Sequence, residues 1–507
     1  GAFFAASNVM EQAKLTEETL FKAIRSQLEK KFGGKGARVV EGNIRVVQRG
    51  FVEVKEITEK RISAPANANP RTAPLLPAPL KELPAGDARA TDVHRFWEQT
   101  GNFYVTGRGN DNIVDPFIGL SMIPVATCVF RDMTQIRFEH PSWIPENCTA
   151  CGKCYTVCPD SAISGLVNSV AEVFETATKR VEKKGHAVKH LRSAMRGAEK
   201  ILRARLIAEG ERADVNRLIK DAVADTPASL EIDDEARAEL EKEFEWFLEE
   251  IDGFRFSITK PYFLQHEKTA AGSGGLLSIT VDPYACKGCN ECVRVCEDDA
   301  LRTLTQSAES TGRLTREWDF WQSLPTTSPE YIRIESLDEK IGALETLLLD
   351  KTNFKWIVGG DGACLGCGEK TVVHLFTATV EALMQPRVKK QVERIDALIK
   401  KLETHIRLKM ADTLNLSDIV AIDQALDSLH NKEVTLSNLS ASLDSEDEGK
   451  TIDADWLKWV AHLLDKLRLL KWQYTEGVTK RGRARMGMIN STGCTSVWAS
   501  TYPFNPY

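Results

Sequence analysis

Two runs of four cysteines constrain this chain more than any other feature of its sequence. The first run reads CTACGKCYTVCP, and the second, CKGCNECVRVCE, repeats its spacing of Cys-x2-Cys-x2-Cys-x3-Cys. In iron–sulfur modules with this spacing, three thiolates of one run bind one [4Fe–4S] cluster and the fourth binds the other cluster. The pattern therefore predicts two groups of ligands: Cys148, Cys151, Cys154 and Cys296, and Cys286, Cys289, Cys292 and Cys158.

Structural zinc sites are the alternative for these eight cysteines. Zinc sites use two separated Cys-x2-Cys pairs, whereas each run here places four cysteines in one stretch. Two complete copies of the longer pattern therefore favour iron–sulfur clusters. Glu297 stands where the first run has Pro159, a residue type that shields a cluster at this position, so the exposure of one cluster changes while no ligand is lost.

The paired runs also constrain the segment between them. Because Cys158 and Cys296 each join the opposite run, residues 166–260 must leave and return at nearly one place. Val170, Phe174, Ala177 and Val181 recur at helical spacing in this charged stretch. We therefore interpret residues 166–260 as a helical insertion in the metal-binding module.

Composition limits the broad class of the protein. The 507 residues are 42% hydrophobic and 27% charged with a net charge of −6, which is typical of a soluble globular protein and argues against a nucleic-acid partner. We find neither an apolar stretch of 18 residues, as a membrane span needs, nor the features of a signal peptide. Twelve cysteines, most of them in short clusters, then indicate metal ligation in a reducing compartment, which we expect to be the cytoplasm.

Three further patterns describe the rest of the chain. Residues 16–32 predict a helix, with acidic residues at its start and lysines at its end. Residues 64–87 contain six prolines and predict an extended linker. Apolar residues spaced three and four apart in 388–406 and 456–470 predict two antiparallel coiled-coil helices, which we interpret as a packing or oligomer surface.

An incomplete group of cysteines lies in the C-terminal third. Cys364 and Cys367 stand three residues apart in GDGACLGCGEK, and Cys494 is their best candidate partner. These three thiolates are one short of the four that a cluster takes. Cys128 could be the fourth, although a lone cysteine among apolar residues is more often a small buried hydrophobic side chain.

The order of these motifs resembles pyruvate:ferredoxin oxidoreductase and its 2-oxoacid relatives. Four segments of the chain carry the resemblance. In the family, the similar segments are, in chain order, a linker after the third domain, the start of the ferredoxin domain, the opening of the thiamine diphosphate domain, and a stretch with a further cluster cysteine. The segments that carry the resemblance are KKFGGKGARVVEGNIRVVQRGF (30–51), PSWIPENCTACGKCYTVCPDSAI (141–163), GACLGCGEK (362–370) and STGCTSVWASTYPFNPY (491–507).

The resemblance implies roles for particular residues. Cys364, Cys367 and Cys494 would bind a third [4Fe–4S] cluster beside thiamine diphosphate, with a fourth ligand beyond residue 507. Glu369 resembles a residue that lines the family's cofactor pocket, and it fits equally well an acid that complements a helix dipole. The sequence Gly-Asp-Gly at 360–362 lacks the asparagine of the family's Mg²⁺ and diphosphate motif, so we interpret it as a turn.

The resemblance also implies a multidomain fold of α+β and α/β type, and a chain that is a piece of a longer enzyme. Residues 1–60 would end a catalytic domain with a linker helix, and residues 61–137 would connect it onwards. Residues 138–310 would form a ferredoxin-like domain with two clusters and the insertion at 166–260. Residues 311–507 would begin a thiamine diphosphate-binding α/β domain with a coiled-coil-like helical insertion at 386–475.

Members of the resembled family decarboxylate a 2-oxoacid such as pyruvate with thiamine diphosphate and Mg²⁺, transfer the acyl group to coenzyme A, and pass electrons to ferredoxin or flavodoxin. We expect this chain to be mostly the electron conduit of such an enzyme, without catalysis of its own, in a homodimer or larger assembly. Two other functions stay open. They are a polyferredoxin-like electron-transfer subunit of another oxidoreductase, and an assembly or scaffold protein whose clusters are structural.

Overall fold

Helices dominate the fold, and two small sheets interrupt them within the part of the chain that the structure describes. This computed structural model describes residues 1–56, 76–81, 92–112, 116–120, 122–125, 127–332, 343–357, 364–413, 454–477, 482–484, 486–489, 491, 493–500 and 502–505. The chain divides into two units, Gly1–Ala73 and Pro74–Tyr507. Most of the predicted linker at 64–87 and all of the Gly-Asp-Gly at 360–362 lie outside the described residues.

The first unit is helical. The predicted helix at 16–32 is confirmed as α3, because Thr16 caps it by accepting a hydrogen bond from the backbone N–H of Thr19 at 3.2 Å. The Arg25 guanidinium of α3 is 2.6 Å from the Glu41 carboxylate of α4. The helices of this unit are α1 (Ala2–Ala6), α2 (Val9–Gln12), α3 (Glu17–Phe32) and α4 (Ala37–Val52).

The second unit opens with short helices around a small apolar cluster. Val93, Trp97 and Phe130 are buried together, and Phe504 packs against them from the far end of the chain. This contact brings the C-terminal segment onto the region before the first cysteine run. The helices here are α5 (Ala78–Lys81), α6 (Val93–Phe96), α7 (Asn102–Val105) and α8 (Pro116–Gly119).

The metal-binding module is built from two antiparallel strand pairs. β1 pairs with β4 from Glu139↔Thr305 to Trp143↔Leu301. β2 pairs with β3, and this ladder ends at Ser169↔Gly275. The elements of the module and its insertion are β1 (Glu139–Trp143), α9 (Lys153–Val157), β2 (Ile163–Ser169), α10 (Val170–Lys183), α11 (Leu191–Glu209), α12 (Val215–Asp225), α13 (Asp234–Ile251), α14 (Gln265–Thr269), β3 (Gly275–Val281), α15 (Glu291–Arg294) and β4 (Leu301–Thr305).

The insertion leaves the module at the end of β2 and returns at the start of β3, which lie next to each other, as the sequence predicted. Ser169 starts α10 with a capping box that includes Glu172, so two backbone N–H groups gain partners. The predicted apolar face of α10 is fully buried, and Phe174 meets Phe247 of α13 with ring centroids 5.2 Å apart.

Helices also make up the described residues after position 307. Within that part of the chain we see no strand, so the expected α/β character of residues 311–507 is not found there; its apolar residues recur with helical spacing instead. The helices are α16 (Ala308–Ser323), α17 (Ala343–Leu347), α18 (Lys351–Ile357), α19 (Gly368–Thr413), α20 (Ala454–Thr475) and α21 (Cys494–Ser500).

α19 and α20 form the predicted antiparallel pair. Asp396 contacts Lys471 at 2.7 Å and Glu403 contacts Arg468 at 3.0 Å, so residue numbers fall on α20 as they rise on α19. Two details differ from the sequence prediction. α19 runs unbroken through Pro386, where we expected the helical insertion to begin. On α20, the sequence placed Leu463 on the apolar face, whereas Leu464 is the residue buried against α19.

Candidate metal centres

The first cavity of the module collects thiols from both cysteine runs. Trp143, Tyr155 and Leu301 supply apolar walls, and Tyr155 is almost completely buried. Two of the thiols come from the loop between β1 and α9, a third comes from the first turn of α9, and the fourth comes from the end of the second run. The cysteines that line this cavity are Cys148, Cys151, Cys154 and Cys296.

The second cavity has the reciprocal composition. Two of its thiols come from the loop after β3, a third comes from α15, and the fourth follows α9 at the end of the first run. The cysteines that line it are Cys286, Cys289, Cys292 and Cys158. The structure therefore brings the eight thiols together in the two groups that the spacing predicts, and their role as cluster ligands stays a prediction.

Left-handed backbone positions shape both loops in the same way. Ala150 and Gly152 have φ of 65° and 72°, and the matching positions Gly288 and Asn290 have φ of 68° and 59°. A Cβ on Gly152 would lie 2.6 Å from Glu345, and a Cβ on Gly288 would collide with the carbonyl oxygen of Glu139. Glycine is therefore required at both positions, and the loops wrap tightly enough to aim three thiols at one cavity.

Burial favours the neutral form of Cys148 and Cys286 when they bind nothing. It raises the pKa of Cys148 and of Cys286 to about 11, while backbone N–H groups of Ala150 and Gly288 donate to the two sulfurs and act in the opposite direction. At Cys158, the N–H of Ala162 donates to Sγ at 3.2 Å. Metal ligation would release these protons, and the N–H donors would then stabilise the thiolates.

The arrangement of the thiols bears on the kind of metal that they could hold. Among the described residues, no group of three or more His, Cys, Asp or Glu side chains is placed to hold a single ion. A tetrahedral zinc site needs sulfurs about 2.3 Å from one point. The eight thiols line two cavities in groups of four, which is the number of thiolates that a [4Fe–4S] cluster takes, so they fit such a cluster.

The segment after Cys364 lies against the second cavity. The backbone N–H of Gly366 donates to the sulfur of Cys289. One turn into α19, the Thr371 hydroxyl donates to the carbonyl of Val157 at 3.2 Å. The predicted third site is therefore built directly on the loop and turn that hold the second group of thiols.

A buried histidine connects the two segments of the third site. Trp498 of α21 donates its indole N–H to Nε2 of His374 at 3.0 Å, and Nδ1 of His374 is 3.0 Å from the Ser161 hydroxyl. Because the indole can only donate, Nε2 accepts and Nδ1 carries the proton. Trp498 stands one helical turn after Cys494, so this contact holds the Cys494 helix against the module.

The third group is less enclosed than the other two. Cys364 and Cys494 are exposed, and Cys367 is half-buried. Neither of the two thiol-lined cavities includes them. The proposed ligation by these three cysteines stays a prediction, and so does the identity of a fourth ligand.

Cys128 and Glu369 occupy different environments. Cys128 is buried, and its backbone N–H donates to the carbonyl of Asn505 at 3.0 Å, which fits its interpretation as a small buried side chain. Glu369 is exposed in the first turn of α19. That position suits an acid that complements the helix dipole and leaves a role in a cofactor pocket as a prediction.

Sequence reasoning missed a buried ion cluster beside the second cavity. Asp160, which lines this cavity, pairs with Lys370 of α19 and lies 3.6 Å from Lys287. Asp160 and Lys370 are 210 positions apart, so no local pattern links them. The signal that was available is the charge of Lys370 at a helix start, where a cation is unfavourable unless an acid meets it.

No described helix is both long and apolar enough to cross a membrane.

Comparison with known proteins bears on the module and on the chain as a whole. Residues 141–164 match a 4Fe–4S binding domain. Over 381 residues, 74% of this chain, it is 24% identical to pyruvate-flavodoxin oxidoreductase of Klebsiella pneumoniae, of which the match covers 22%. Over 172 residues, 34% of this chain, it is 26% identical to pyruvate:ferredoxin oxidoreductase of Moorella thermoacetica, of which the match covers 13%.

A further relative, pyruvate-flavodoxin oxidoreductase of Trichormus variabilis, is 27% identical over 172 residues, 32% of this chain and 12% of that protein. The chain thus spans about a fifth of the length of the Klebsiella pneumoniae protein and less of the other two. Together with the 4Fe–4S domain, these matches support an iron–sulfur electron-transfer role. They confirm the resemblance that the motifs predicted: the chain is similar to pyruvate:ferredoxin and pyruvate-flavodoxin oxidoreductases.

Proposed function

We propose that this chain is the iron–sulfur electron-transfer portion of a 2-oxoacid:ferredoxin or flavodoxin oxidoreductase, with pyruvate as the 2-oxoacid. One observation carries the proposal. Two cavities each receive three thiols from one Cys-x2-Cys-x2-Cys stretch and a fourth thiol from the other stretch. This interleaving is the arrangement of two-cluster electron carriers.

The residues of the chain would fix the position and potential of two [4Fe–4S] clusters, which supply one-electron chemistry at low potential. Cys158 and Cys296 each belong to the opposite group, so the two groups of thiols cannot separate without loss of a ligand. Backbone N–H donors at Ala150, Gly288 and Ala162 would stabilise negative charge on the ligands. Buried apolar walls would keep water from the thiolates.

The third site would lie where electrons enter this conduit. Cys364, Cys367 and Cys494 would supply three ligands, and His374 holds their two segments together on the second cavity. In the complete enzyme, thiamine diphosphate and Mg²⁺ would supply the decarboxylation chemistry and coenzyme A would take the acyl group. Ferredoxin or flavodoxin would receive the electrons.

An iron and acid-labile sulfide assay on the reconstituted chain tests the proposal. We expect at least eight irons and eight sulfides per chain. Cys151→Ser and Cys289→Ser should each remove about four irons, one from each cavity. Cys128→Ser is the matched control and should retain the iron of both cavities. Zinc in place of iron, or fewer than eight irons in the unmodified chain, would contradict the proposal.

A second measurement separates this function from its alternative, a polyferredoxin-like subunit of another oxidoreductase. In the full-length protein that contains this chain, we expect thiamine diphosphate to bind and a 2-oxoacid to reduce the clusters. A full-length protein with eight irons that neither binds thiamine diphosphate nor accepts electrons from a 2-oxoacid would favour the alternative.

A further inference from the structure

A carboxylate lies in the wall of the second cavity, where the proposed cluster with four thiolates would be anionic. Asp160 lines the cavity beside Cys158, Cys286 and Cys289. Its negative charge acts on all three sulfurs, adding to the effect of burial in raising the pKa of each thiol. An uncompensated carboxylate here would oppose any further negative charge in the cavity.

Two lysines from different parts of the chain meet this carboxylate. Lys287 belongs to the cavity's own loop, and its Nζ is 3.6 Å from Oδ1 of Asp160. Lys370 reaches the same oxygen from the first turn of α19, three residues after Cys367. The side chains of Lys370, Asp160 and Lys287 are 3%, 8% and 8% exposed, so solvent screens these charges weakly.

The first cavity has a different electrostatic setting. Its lining includes Lys153, whose Nζ is 2.8 Å from the Glu297 carboxylate. These two side chains are 43% and 79% exposed. Charges in contact with solvent act weakly on their surroundings, so Lys153 should affect the first cavity far less than Lys370 affects the second.

We infer that Lys370 is an electrostatic tuning residue of the second cavity. Its buried ammonium offsets Asp160 and favours the more negatively charged, reduced state of the [4Fe–4S] group that Cys158, Cys286, Cys289 and Cys292 would hold. It thereby raises the reduction potential of that group above the value that the thiols and Asp160 alone would set.

This role gives the third-site segment a second task. The same stretch, GCGEK, carries Cys367 as a proposed ligand of the third site and Lys370 as a charge for the second cavity. Docking of α19 on the module therefore sets both the position of the third site and the electron affinity of its neighbour. The inference rests on the proposed function, because it requires a cluster in the second cavity.

The test is a redox titration of the reconstituted chain followed by electron paramagnetic resonance. Ligand variants Cys151→Ser and Cys289→Ser assign the two signals to the first and second cavities. Lys370→Gln should lower the reduction equilibrium constant of the second-cavity group at least about tenfold, which is about 59 mV for a one-electron couple. The first-cavity group should change by less than about twofold.

Two matched variants separate charge from packing. Lys370→Arg keeps the positive charge and should leave both potentials close to those of the unmodified chain. Lys153→Gln removes an exposed charge beside the first cavity and should change its potential by less than about twofold. If the Lys370→Gln variant fails to retain iron in the second cavity, Lys287→Gln replaces it, because Lys287 also contacts Asp160. Lys287→Gln must then lower the reduction potential of the second-cavity group.

The outcomes distinguish this inference from the proposed function. Equal shifts of both groups, no shift in Lys370→Gln, or the same shift in Lys370→Arg as in Lys370→Gln would overturn the role of Lys370 while two clusters remain. Zinc or fewer than eight irons in the unmodified chain would overturn the proposed function itself, and the tuning role with it. A drop confined to the second-cavity potential in Lys370→Gln, restored in Lys370→Arg, is the result that we expect.

Discussion

At the residue scale, glycine conformation decides whether the loops can aim their thiols. Gly288 has a φ of 68°, and a Cβ there would collide with the carbonyl oxygen of Glu139 in β1. The collision is with backbone, which cannot rotate away as a side chain can. The loop of the second cavity therefore requires a residue without a side chain at position 288.

We predict that Gly288→Ala destabilises the chain by at least about 1 kcal/mol more than a substitution that adds backbone strain alone. Gly185→Ala is the matched control, because Gly185 has a φ of 86° and nothing lies within 4 Å of its added Cβ. Urea denaturation gives the free energy of unfolding, and the iron assay gives occupancy of the second cavity. Equal destabilisation by the two substitutions would contradict the steric argument.

We expect His140 to make the free energy of unfolding depend on pH. The imidazole is buried in β1, where Nδ1 is 3.0 Å from the carbonyl of Pro141 and Nε2 is 3.0 Å from the Ser310 hydroxyl. Burial lowers the pKa of His140 below its ordinary value of about 6.5. Its contribution to stability is therefore complete above about pH 6.5 and is lost as the pH falls through the lowered pKa.

His140→Gln should flatten this pH dependence, because a neutral amide makes similar hydrogen bonds and does not titrate. We expect the slope of unfolding free energy below about pH 6.5 to fall by up to about 1.4 kcal/mol per pH unit. Urea midpoints of the chain between about pH 7 and about pH 5 measure the slope. His462→Gln changes an exposed histidine and should leave the slope as it is. An unchanged slope in His140→Gln would exclude His140 as its source.

At the element scale, local signals predicted some helices well and missed others. α3 and α10 carry their own signals, namely a capping residue, terminal charges or an apolar face. Pro386, where we expected the helical insertion to begin, does not break α19, because the helix is anchored on both sides of it: His374 is buried toward the module and Ile399 toward α20. Tertiary contacts on both sides offset the hydrogen bond that proline removes.

The candidate site divides in the same way. The spacing predicted which cysteines share a cavity, because in two-cluster modules with this spacing the fourth cysteine of each run joins the three of the other run. It could not predict that Lys370 meets Asp160 or that His374 bridges Ser161 and Trp498, because these partners lie far apart in sequence. Such contacts depend on how α19 docks, which no local pattern specifies.

Lys351 stabilises the C-terminal end of α16 by hydrogen bonding. Its ammonium donates to the carbonyl oxygens of Trp321, Gln322 and Leu324 at the C-terminal end of that helix. The side chain is buried, so water cannot readily replace these hydrogen bonds. A cation at this end also complements the helix dipole.

Lys351→Met should cost about 2–3 kcal/mol of unfolding free energy, because buried carbonyls lose charged hydrogen bonds. The indole of Trp321 also loses its contact with the ammonium, 4.3 Å from the ring centroid, so tryptophan fluorescence should report the change. The exposed Lys458→Met is the control and should cost less than about 0.5 kcal/mol. A similar small cost in both variants would show that Lys351 does not stabilise α16.

At the scale of the second unit, one apolar core joins the module, the insertion and the helices after it. Leu202 of α11, Leu301 of β4, Trp321 of α16 and Ala378 of α19 belong to the same buried cluster. The insertion is therefore part of the core that supports the cavities, although it leaves and returns at one strand pair. We expect the insertion and the module to unfold together.

Leu202→Ala tests this expectation from a position outside the module. It should cost about 2–5 kcal/mol and lower the urea midpoint for loss of helical circular dichroism and the midpoint for loss of cluster absorbance by the same amount. Leu408→Ala, which truncates a side chain that is 61% exposed, should change neither midpoint appreciably. Helix loss that precedes cluster loss would indicate two independent folding units.

The position of the insertion also determines when each site can be completed during synthesis. Cys148, Cys151 and Cys154 line a cavity with Cys296, which follows them by about 140 residues. At a ribosomal rate of about 5–20 residues per second, roughly 7–28 seconds separate the third of these cysteines from the fourth. During that interval the nascent chain holds only three of the four proposed ligands, so the length of the insertion would set the earliest moment at which a cluster could be bound by all four.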